Sequence, residues 1–204
     1  MNPRADRVYE AFDAVPRDEF LPVGVRGQSS YDGPLPIGHG QTNSQPRTVA
    51  AMLQLLEVAP GDRVLDVGAG SGWTTALLAH LVGSSGLVVG VELVPALAAW
   101  GEENVRRTTG GWASVRQATR GVLGVPELAP YDRILVSAEA REVPQELVDQ
   151  LAPDGRMVVP VRGRMTLVVA GPEGVLTSHH GSYRFVPLIT RRWPGVRDGS
   201  AGPA

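Results

Sequence analysis

Between positions 63 and 161, short apolar runs alternate with segments in which apolar residues recur at helical spacing. Each apolar run is bounded by turn residues and predicts a buried strand. The predicted strands are residues 63–67, 87–91, 114–116, 133–137 and 157–161. The segments between them that predict helices are residues 73–81, 95–105 and 144–151. This alternation predicts an α/β fold with a doubly wound, mostly parallel sheet that is covered on both faces.

Less regular patterns precede this region. Residues 4–12 have apolar side chains at helical spacing, and Pro16 ends that segment. Residues 48–56 present one apolar helical face, and Ser44 is the expected N-cap of this helix. Residues 21–46 are rich in Gly, Pro, Ser and Gln and show little periodicity, which predicts a long ordered loop. Loops of this length in a small domain usually carry function.

The C-terminal part of the chain predicts a closing antiparallel strand pair. Residues 165–169 and 183–188 are the two strands, joined by a turn at 171–174. We expect one domain over residues 1–192, followed by a flexible tail at 193–204. The expected parts of the domain are a helix and substrate loop (1–46), a cofactor-binding core (47–162) and a C-terminal hairpin (163–190).

Composition excludes several classes of chemistry. The chain has no Cys, which excludes disulfide scaffolds, cysteine metal sites and thiol nucleophiles. All 19 basic residues are Arg, so lysine Schiff bases and the Walker lysine are excluded as well. The four histidines lack zinc-ligand spacing, and no metal is expected. The net charge of −2, without a run of one sign, argues against nucleic acid or membrane partners. We expect a soluble, cytoplasmic monomer.

The strongest site signal is a glycine-rich turn between the first predicted strand and the next helix. Its residues are Asp66, Val67, Gly68, Ala69, Gly70, Ser71 and Gly72. The G-x-G-x-G spacing departs from the dinucleotide pattern and suits S-adenosylmethionine. Asp66 is then placed to orient the amino group of the ligand. Glu92 ends the second strand, twenty residues after Gly72, where a carboxylate accepts ribose hydroxyls. The alternative interpretation is a tight turn beside an ordinary strand-end acid.

Around this core the sequence resembles the protein-L-isoaspartate O-methyltransferase family over about residues 8–190. The most specific block runs from Pro34 to Pro46, with Gln41-Thr42-Asn43-Ser44-Gln45-Pro46 at its end. Other matching blocks are residues 15–22, 64–72, 129–134, 150–156 and 183–188. The resemblance implies a Rossmann-like class I methyltransferase fold. It also implies S-adenosylmethionine-dependent methylation of the free α-carboxylate of L-isoaspartyl residues in damaged proteins or peptides.

The glycine turn and the resemblance together give the expected site residues. Ser44 is the expected catalytic residue, and Ile37, Ser44 and Arg184 are expected to bind substrate. The expected cofactor-binding residues are Gln41, Thr42, Asn43, Asp66, Gly68, Ala69, Gly70, Ser71, Gly72, Glu92, Thr119 and Arg120. An α-carboxylate is already ionised at pH 7, so no general base is required. Catalysis is then expected to come from alignment and exclusion of water.

Two positions depart from the family pattern. Arg120 stands where the family has an acid near the adenine, and Glu139 stands in a run of small residues. We hypothesise that these two side chains pair beside the cofactor. The departures keep two alternatives open: a related O-methyltransferase that esterifies an aspartate of a peptide natural product, and a cofactor-binding module without isoaspartyl activity, which includes a nicotinamide-binding one.

Overall fold

A computed structural model describes residues 3–189, within which the chain forms five α-helices and nine β-strands. The helices are α1 (Pro3–Ala14), α2 (Pro46–Leu56), α3 (Trp73–Val82), α4 (Pro95–Thr108) and α5 (Gln145–Val148). The strands are β1 (Leu35–Gly38), β2 (Gln41–Asn43), β3 (Arg63–Val67), β4 (Leu87–Glu92), β5 (Ala113–Gln117), β6 (Tyr131–Val136), β7 (Leu151–Val161), β8 (Arg164–Gly171) and β9 (Gly174–Ser182).

Seven strands form one mixed sheet in the order β5-β4-β3-β6-β7-β8-β9. The first five strands in this order are parallel, and β8 and β9 run antiparallel. The predicted α/β fold with antiparallel C-terminal strands is confirmed. Because the chain continues from β3 to β4 on one side and returns to β6 on the other, strand order reverses beside β3. Ligands of open α/β sheets bind at such a reversal, outside the carboxyl ends of the strands.

Both faces of the parallel strands are buried. Val64 and Leu65 in β3 belong to different hydrophobic clusters, one on each side of the sheet, and neither is exposed. Helices α1, α2 and α3 pack on the face of Val64. This two-sided burial explains why the strands appear in the sequence as continuous apolar runs rather than as alternating patterns.

The expectation of a loop over residues 21–46 is wrong in part. A 3-10 helix (Val23–Gln28) is followed by an antiparallel hairpin of β1 and β2. Its turn places Gly38, His39 and Gly40 at positive φ, which glycine adopts readily. The hairpin packs through Leu35 and Ile37 against the start of α4. Strands of three and four residues are too short to show alternation in the sequence.

The expected N-cap of α2 is also wrong. The helix begins at Pro46 and the residue that caps it is Gln45, so Ser44 lies outside the helix. Gln45 makes no side-chain capping bond. Instead, Asp32 Oδ1 accepts a hydrogen bond from the main-chain N–H of Arg47 at 3.1 Å. A residue distant in sequence thus satisfies a donor at the start of the helix, and Ser44 is free for another role.

The C-terminal strand pair differs from the expectation in one member. Strand β8 pairs with β9 across the predicted turn, so the second strand ends before residue 183. Residues 186–188 instead cross toward Glu139, whose main-chain groups bond to Val186 and Leu188 at 2.7 Å each. The predicted helix at 144–151 is reduced to α5, because β7 already begins at Leu151. The predicted tail at 193–204 lies outside the described residues.

Neither a membrane span nor a metal cluster is found in residues 3–189. None of the helices there combines the length and the apolar character needed to cross a membrane. No group of three or more His, Asp or Glu side chains is arranged to hold a metal ion within the same residues.

Candidate active site

The glycine-rich turn lies directly after β3, at the carboxyl edge of the sheet. Gly68, Gly70 and Gly72 have φ angles of 85°, 55° and 89°. A Cβ at Gly70 would lie 3.1 Å from Ile37 Cδ1, so the turn fits closely under the hairpin. A Cβ at Gly72 would lie 2.8 Å from the carbonyl oxygen of Gly101 in α4. The first two glycines therefore open the ligand side of the turn, and the third permits helix packing.

Glu92 at the end of β4 holds the turn in this shape. Its Oε2 accepts a hydrogen bond from the main-chain N–H of Gly70, and its Oε1 accepts one from that of Val94, both at 2.9 Å. A carboxylate has about four acceptor positions. Glu92 can therefore bind the turn and still accept hydrogen bonds from ligand hydroxyl groups.

The Asp66 carboxyl group lies behind the turn and is completely buried. Its Oδ2 accepts hydrogen bonds from the hydroxyls of Thr74 at 2.6 Å and Thr75 at 2.7 Å, on the first turn of α3. Its Oδ1 has no hydrogen-bond partner among the described residues. Burial raises the pKa of Asp66 to about 6, a shift that its two hydroxyl donors reduce and the charge of Glu92 increases.

Two adjoining pockets open on either side of the glycine turn. The larger pocket extends along the ends of β4 and β5, and Glu92 and Arg120 are its ionisable wall residues. The smaller pocket lies under the hairpin. Its described wall contains no ionisable side chain, and the polar residues that line it are Thr42, Asn43, Ser44, Ser71, Thr74 and Ser137. The smaller pocket therefore offers neutral hydrogen-bond donors.

The two pockets share a wall. The residues that line both are Ile37, Thr42, Gly68, Gly70 and Ser137. A group bound in the larger pocket and a group bound in the smaller one consequently meet at this wall. Next to this wall, within the smaller pocket, one hydrogen bond joins the hairpin to the glycine turn, since Asn43 Nδ2 donates to Ser71 Oγ at 3.3 Å.

Most of the predicted site residues come together here. Those that line the larger pocket are Ile37, Gln41, Thr42, Gly68, Gly70, Glu92, Thr119 and Arg120. The smaller pocket adds Asn43, Ser44, Ala69 and Ser71. Three predicted residues are absent from both walls as described: Asp66 is buried behind the turn, Gly72 packs against α4, and Arg184 is exposed.

The departure at Arg120 lies within the larger pocket, on the segment that follows β5. Gln150 supports the same segment from behind. Its Nε2 donates to the carbonyls of Leu123 at 2.8 Å and Glu146 at 2.7 Å, and its Oε1 accepts the N–H of Val125 at 2.9 Å. Glu139 is half-buried beside the segment at 186–188. The ion pair between Arg120 and Glu139 stays a prediction.

A sequence model of the protein-L-isoaspartate(D-aspartate) O-methyltransferase family matches residues 2–193. The chain belongs to this family. It is 47% identical to the protein-L-isoaspartate O-methyltransferase of Aeropyrum pernix, over 90% of this chain and 72% of that one. It is 45% identical to that of Methanopyrus kandleri, over 91% of this chain and 84% of that one. Family membership, expected from the Pro34–Pro46 block and the glycine turn, is confirmed.

Solved structures of the family have the same fold. One protein-L-isoaspartate O-methyltransferase superposes with a TM-score of 0.78 at 30% identity, covering 91% of this chain. This chain spans 62% of the length of that structure. A Plasmodium falciparum member, solved with S-adenosyl-L-homocysteine, gives a TM-score of 0.77 at 28% identity and covers 91% of both chains. The class I methyltransferase fold expected for the family is confirmed.

Sequence reasoning missed three parts of this methyltransferase site. Ser137 lines both pockets, and its position directly after β6 at the strand-order reversal was the available signal. Residues 186–189 line the larger pocket, although 186–188 had been expected to form the end of a strand. Arg17 is buried beneath the hairpin and bonds to Asn43, a contact across 26 residues for which the sequence carries no local signal.

Proposed function

We propose that this chain transfers a methyl group from S-adenosylmethionine to the free carboxylate of L-isoaspartyl residues in damaged proteins or peptides. The observation that carries this proposal is the shared wall of the two pockets. Glu92 lines the pocket on one side of this wall, and Ser44 lines the pocket on the other. Family membership supplies the reaction, and the pockets supply adjacent places for donor and acceptor.

The larger pocket fits S-adenosylmethionine. Glycines with positive φ leave space at the turn that a Cβ at Gly70 would reduce. Glu92 lines the pocket and has acceptor capacity beyond its two main-chain bonds. Gln41, Thr42, Thr119 and Arg120 provide further polar groups along the wall. We propose these residues as the cofactor contacts. The contact of Asp66 with the cofactor stays a prediction, because its carboxyl group lies behind the turn.

The smaller pocket fits a carboxylate whose negative charge disappears in the reaction. S-adenosylmethionine supplies an electrophilic methyl group on a cationic sulfur. Because the charge of the acceptor is consumed in the transfer, a cationic side chain on it would stabilise the ground state more than the transition state. Neutral donors make that penalty smaller, and the described wall of the smaller pocket has only neutral polar groups. We propose that the Ser44 hydroxyl donates a hydrogen bond to the substrate carboxylate.

The test is transfer of a labelled methyl group to paired peptides that differ only in an isoaspartyl or an aspartyl residue. We expect the isoaspartyl peptide to be preferred. Ser44→Ala should lower kcat/KM by about 10- to 100-fold, since a hydrogen bond to a charged group contributes about 1.5–3 kcal/mol. Its affinity for S-adenosylhomocysteine should be unchanged by calorimetry. Ser85→Ala, an exposed serine beyond the far end of α3, is the matched control and should behave as wild type.

Equal labelling of the two peptides contradicts the repair function.

The proposal also includes action as a monomer, without nucleic acid, and in the cytoplasm. The net charge of −2 supports independence from nucleic acid, since a negatively charged protein attracts the phosphates of a nucleic acid only weakly. Sedimentation at increasing protein concentration tests the monomer, and a mass that rises with concentration contradicts it.

A further inference from the structure

Arg17 begins a 3-10 helix (Arg17–Phe20) directly after α1 and is 6% exposed. Its guanidinium group uses all three nitrogens as hydrogen-bond donors. Nε donates to Asn43 Oδ1 at 2.8 Å. The other two nitrogens donate to the main-chain carbonyls of Ser29 (3.4 Å), Tyr31 (2.9 Å), Gly33 (2.8 Å), Asn43 (3.1 Å) and Ser44 (2.9 Å). Every one of these acceptors belongs to the segment at 29–44.

Within the described residues the acceptors of Arg17 are neutral, so it forms no ion pair at contact distance. Burial lowers the pKa of Arg17 to about 10, and the charge of Asp32 opposes that shift. Arg17 is therefore still a cation at pH 7. A buried cation is costly unless its donors are satisfied, and here carbonyl dipoles satisfy them.

Arg17 also connects this segment to the cofactor turn. Its guanidinium carbon lies 5.4 Å from the ring centre of Trp73, the first residue of α3. Asn43, which Arg17 holds by its side chain and its carbonyl, donates in turn to Ser71 Oγ at 3.3 Å. The guanidinium group thus contacts two residues of the smaller pocket, Asn43 at the end of the hairpin and Trp73 at the start of α3.

We propose that Arg17 is a positioning residue for methyl transfer. The planar guanidinium group, whose donors point in several directions like a fork, fixes the segment at 29–44, and with it Ser44, against the glycine turn. The proposal rests on the proposed function for the reaction, but the geometric role of Arg17 is independent of it. Arg17 positions the segment through the planar arrangement of its donors and not through its charge. The carbonyl groups around the guanidinium shield its charge, and an unshielded cation would stabilise the substrate carboxylate in the ground state more than in the transition state.

The decisive variant is Arg17→Lys, which keeps the charge and removes the fork. One ammonium group has three donors on a single nitrogen and cannot satisfy the six acceptors that the three nitrogens of Arg17 bind. We expect kcat for the isoaspartyl peptide to fall by about 10- to 100-fold. This corresponds to losing one or two of the hydrogen bonds that keep Ser44 aligned for the transfer. The affinity for S-adenosylhomocysteine should stay within about threefold, because Arg17 does not line the larger pocket. Amide hydrogen exchange should become faster in residues 29–44 and stay unchanged in α2.

Arg7→Lys is the matched control. Arg7 donates to the carbonyls of Val58 at 3.2 Å and Leu81 at 2.6 Å, away from the hairpin. It should lower stability without changing kcat or the exchange of residues 29–44. Wild-type kcat in Arg17→Lys, or exchange in residues 29–44 that matches that of Arg7→Lys, overturns the proposal.

Two further results separate the possible failures. If Arg17→Lys does not fold, Asn43→Ala tests the same connection. It removes the bonds to Arg17 Nε and Ser71, and must give the faster exchange of residues 29–44; unchanged exchange overturns the proposal. If the wild-type chain does not label the isoaspartyl peptide, the proposed function fails. The hydrogen-exchange comparison then still decides whether Arg17 fixes the segment.

Discussion

The Glu92 Oε2 atom lies 2.9 Å from the main-chain nitrogen of Gly70 and accepts its hydrogen bond. This contact joins the end of β4 to the glycine turn after β3, twenty-two residues away. The carboxylate therefore shapes the larger pocket as well as lining it. A loss of Glu92 should consequently affect the turn and the ligand together.

Glu92→Gln tests this dual role. Glutamine has a single acceptor oxygen, so one of the two main-chain donors, Gly70 or Val94, must lose its partner. We expect S-adenosylhomocysteine to bind about 10- to 100-fold more weakly, since hydrogen bonds to charged groups contribute about 1.5–3 kcal/mol. Isothermal calorimetry measures this affinity. Glu102→Gln is the control, because Glu102 also accepts a main-chain bond, from Val115 at 2.5 Å, but lies outside the pockets. Equal affinity in the two variants would show that Glu92 has no special part in binding.

Asp66 should lower the free energy of unfolding as the pH rises, which is opposite to the usual effect of a carboxyl group. Its pKa in the folded state, about 6, lies above the ordinary value of 3.8. The fold therefore favours the protonated form. The stabilising contribution is fully present below about pH 4 and is lost as the pH rises through about 6. The loss is at most about 3 kcal/mol for a shift of about two pKa units.

Asp66→Asn removes this dependence, because the amide stays neutral at every pH. The measurement is the free energy of unfolding in urea at several values from pH 4 to pH 7.5. We expect the wild type to lose stability relative to Asp66→Asn across this range, since contributions of the other carboxyl groups are common to both proteins. A constant difference between the two proteins would mean that Asp66 titrates normally.

Gly72→Ala should destabilise the contact between the turn and α4. Alanine must adopt a φ of 89° there, and its Cβ would lie 2.8 Å from the backbone oxygen of Gly101. Gly111→Ala is a matched control, because its φ of 94° is as unfavourable and its Cβ would meet nothing within 4 Å. We expect Gly72→Ala to be the less stable of the two by about 1–3 kcal/mol in urea unfolding, the usual cost of overpacking. Equal free energies of unfolding for the two variants would mean that α4 shifts to accept the new Cβ at no cost in stability.

Features with short-range causes were predictable from the sequence. Strands β3, β4, β6 and β7 were predicted because each contains a buried apolar run. Strand β5 was predicted only as residues 114–116, since its last two residues are exposed and it has no apolar run. The glycine turn and Glu92 were predicted from their positions after β3 and at the end of β4, and both line the larger pocket. The family was recognised from the block that ends in Ser44, and the matching family confirms it.

Features that depend on long-range contacts were not predictable. The hairpin of β1 and β2 is held by packing on α4, and its strands are too short to show a pattern. Strand β9 is mostly exposed and lacks the apolar run by which the other strands were found. The second strand of the C-terminal pair was therefore placed too late in the chain.

The sequence by itself determined the sheet, the turn and the family, because these follow from local apolar periodicity, from glycine conformations and from a linear motif. The tertiary structure decided that Asp66 lies behind the turn, that Ser44 lies outside helix α2, and that Arg17 holds the segment beside it. The reason is that the partners of Arg17 are mostly main-chain carbonyls, 12 to 27 residues away. Carbonyl groups are the same in every residue, so only the folded chain shows which of them a buried arginine binds.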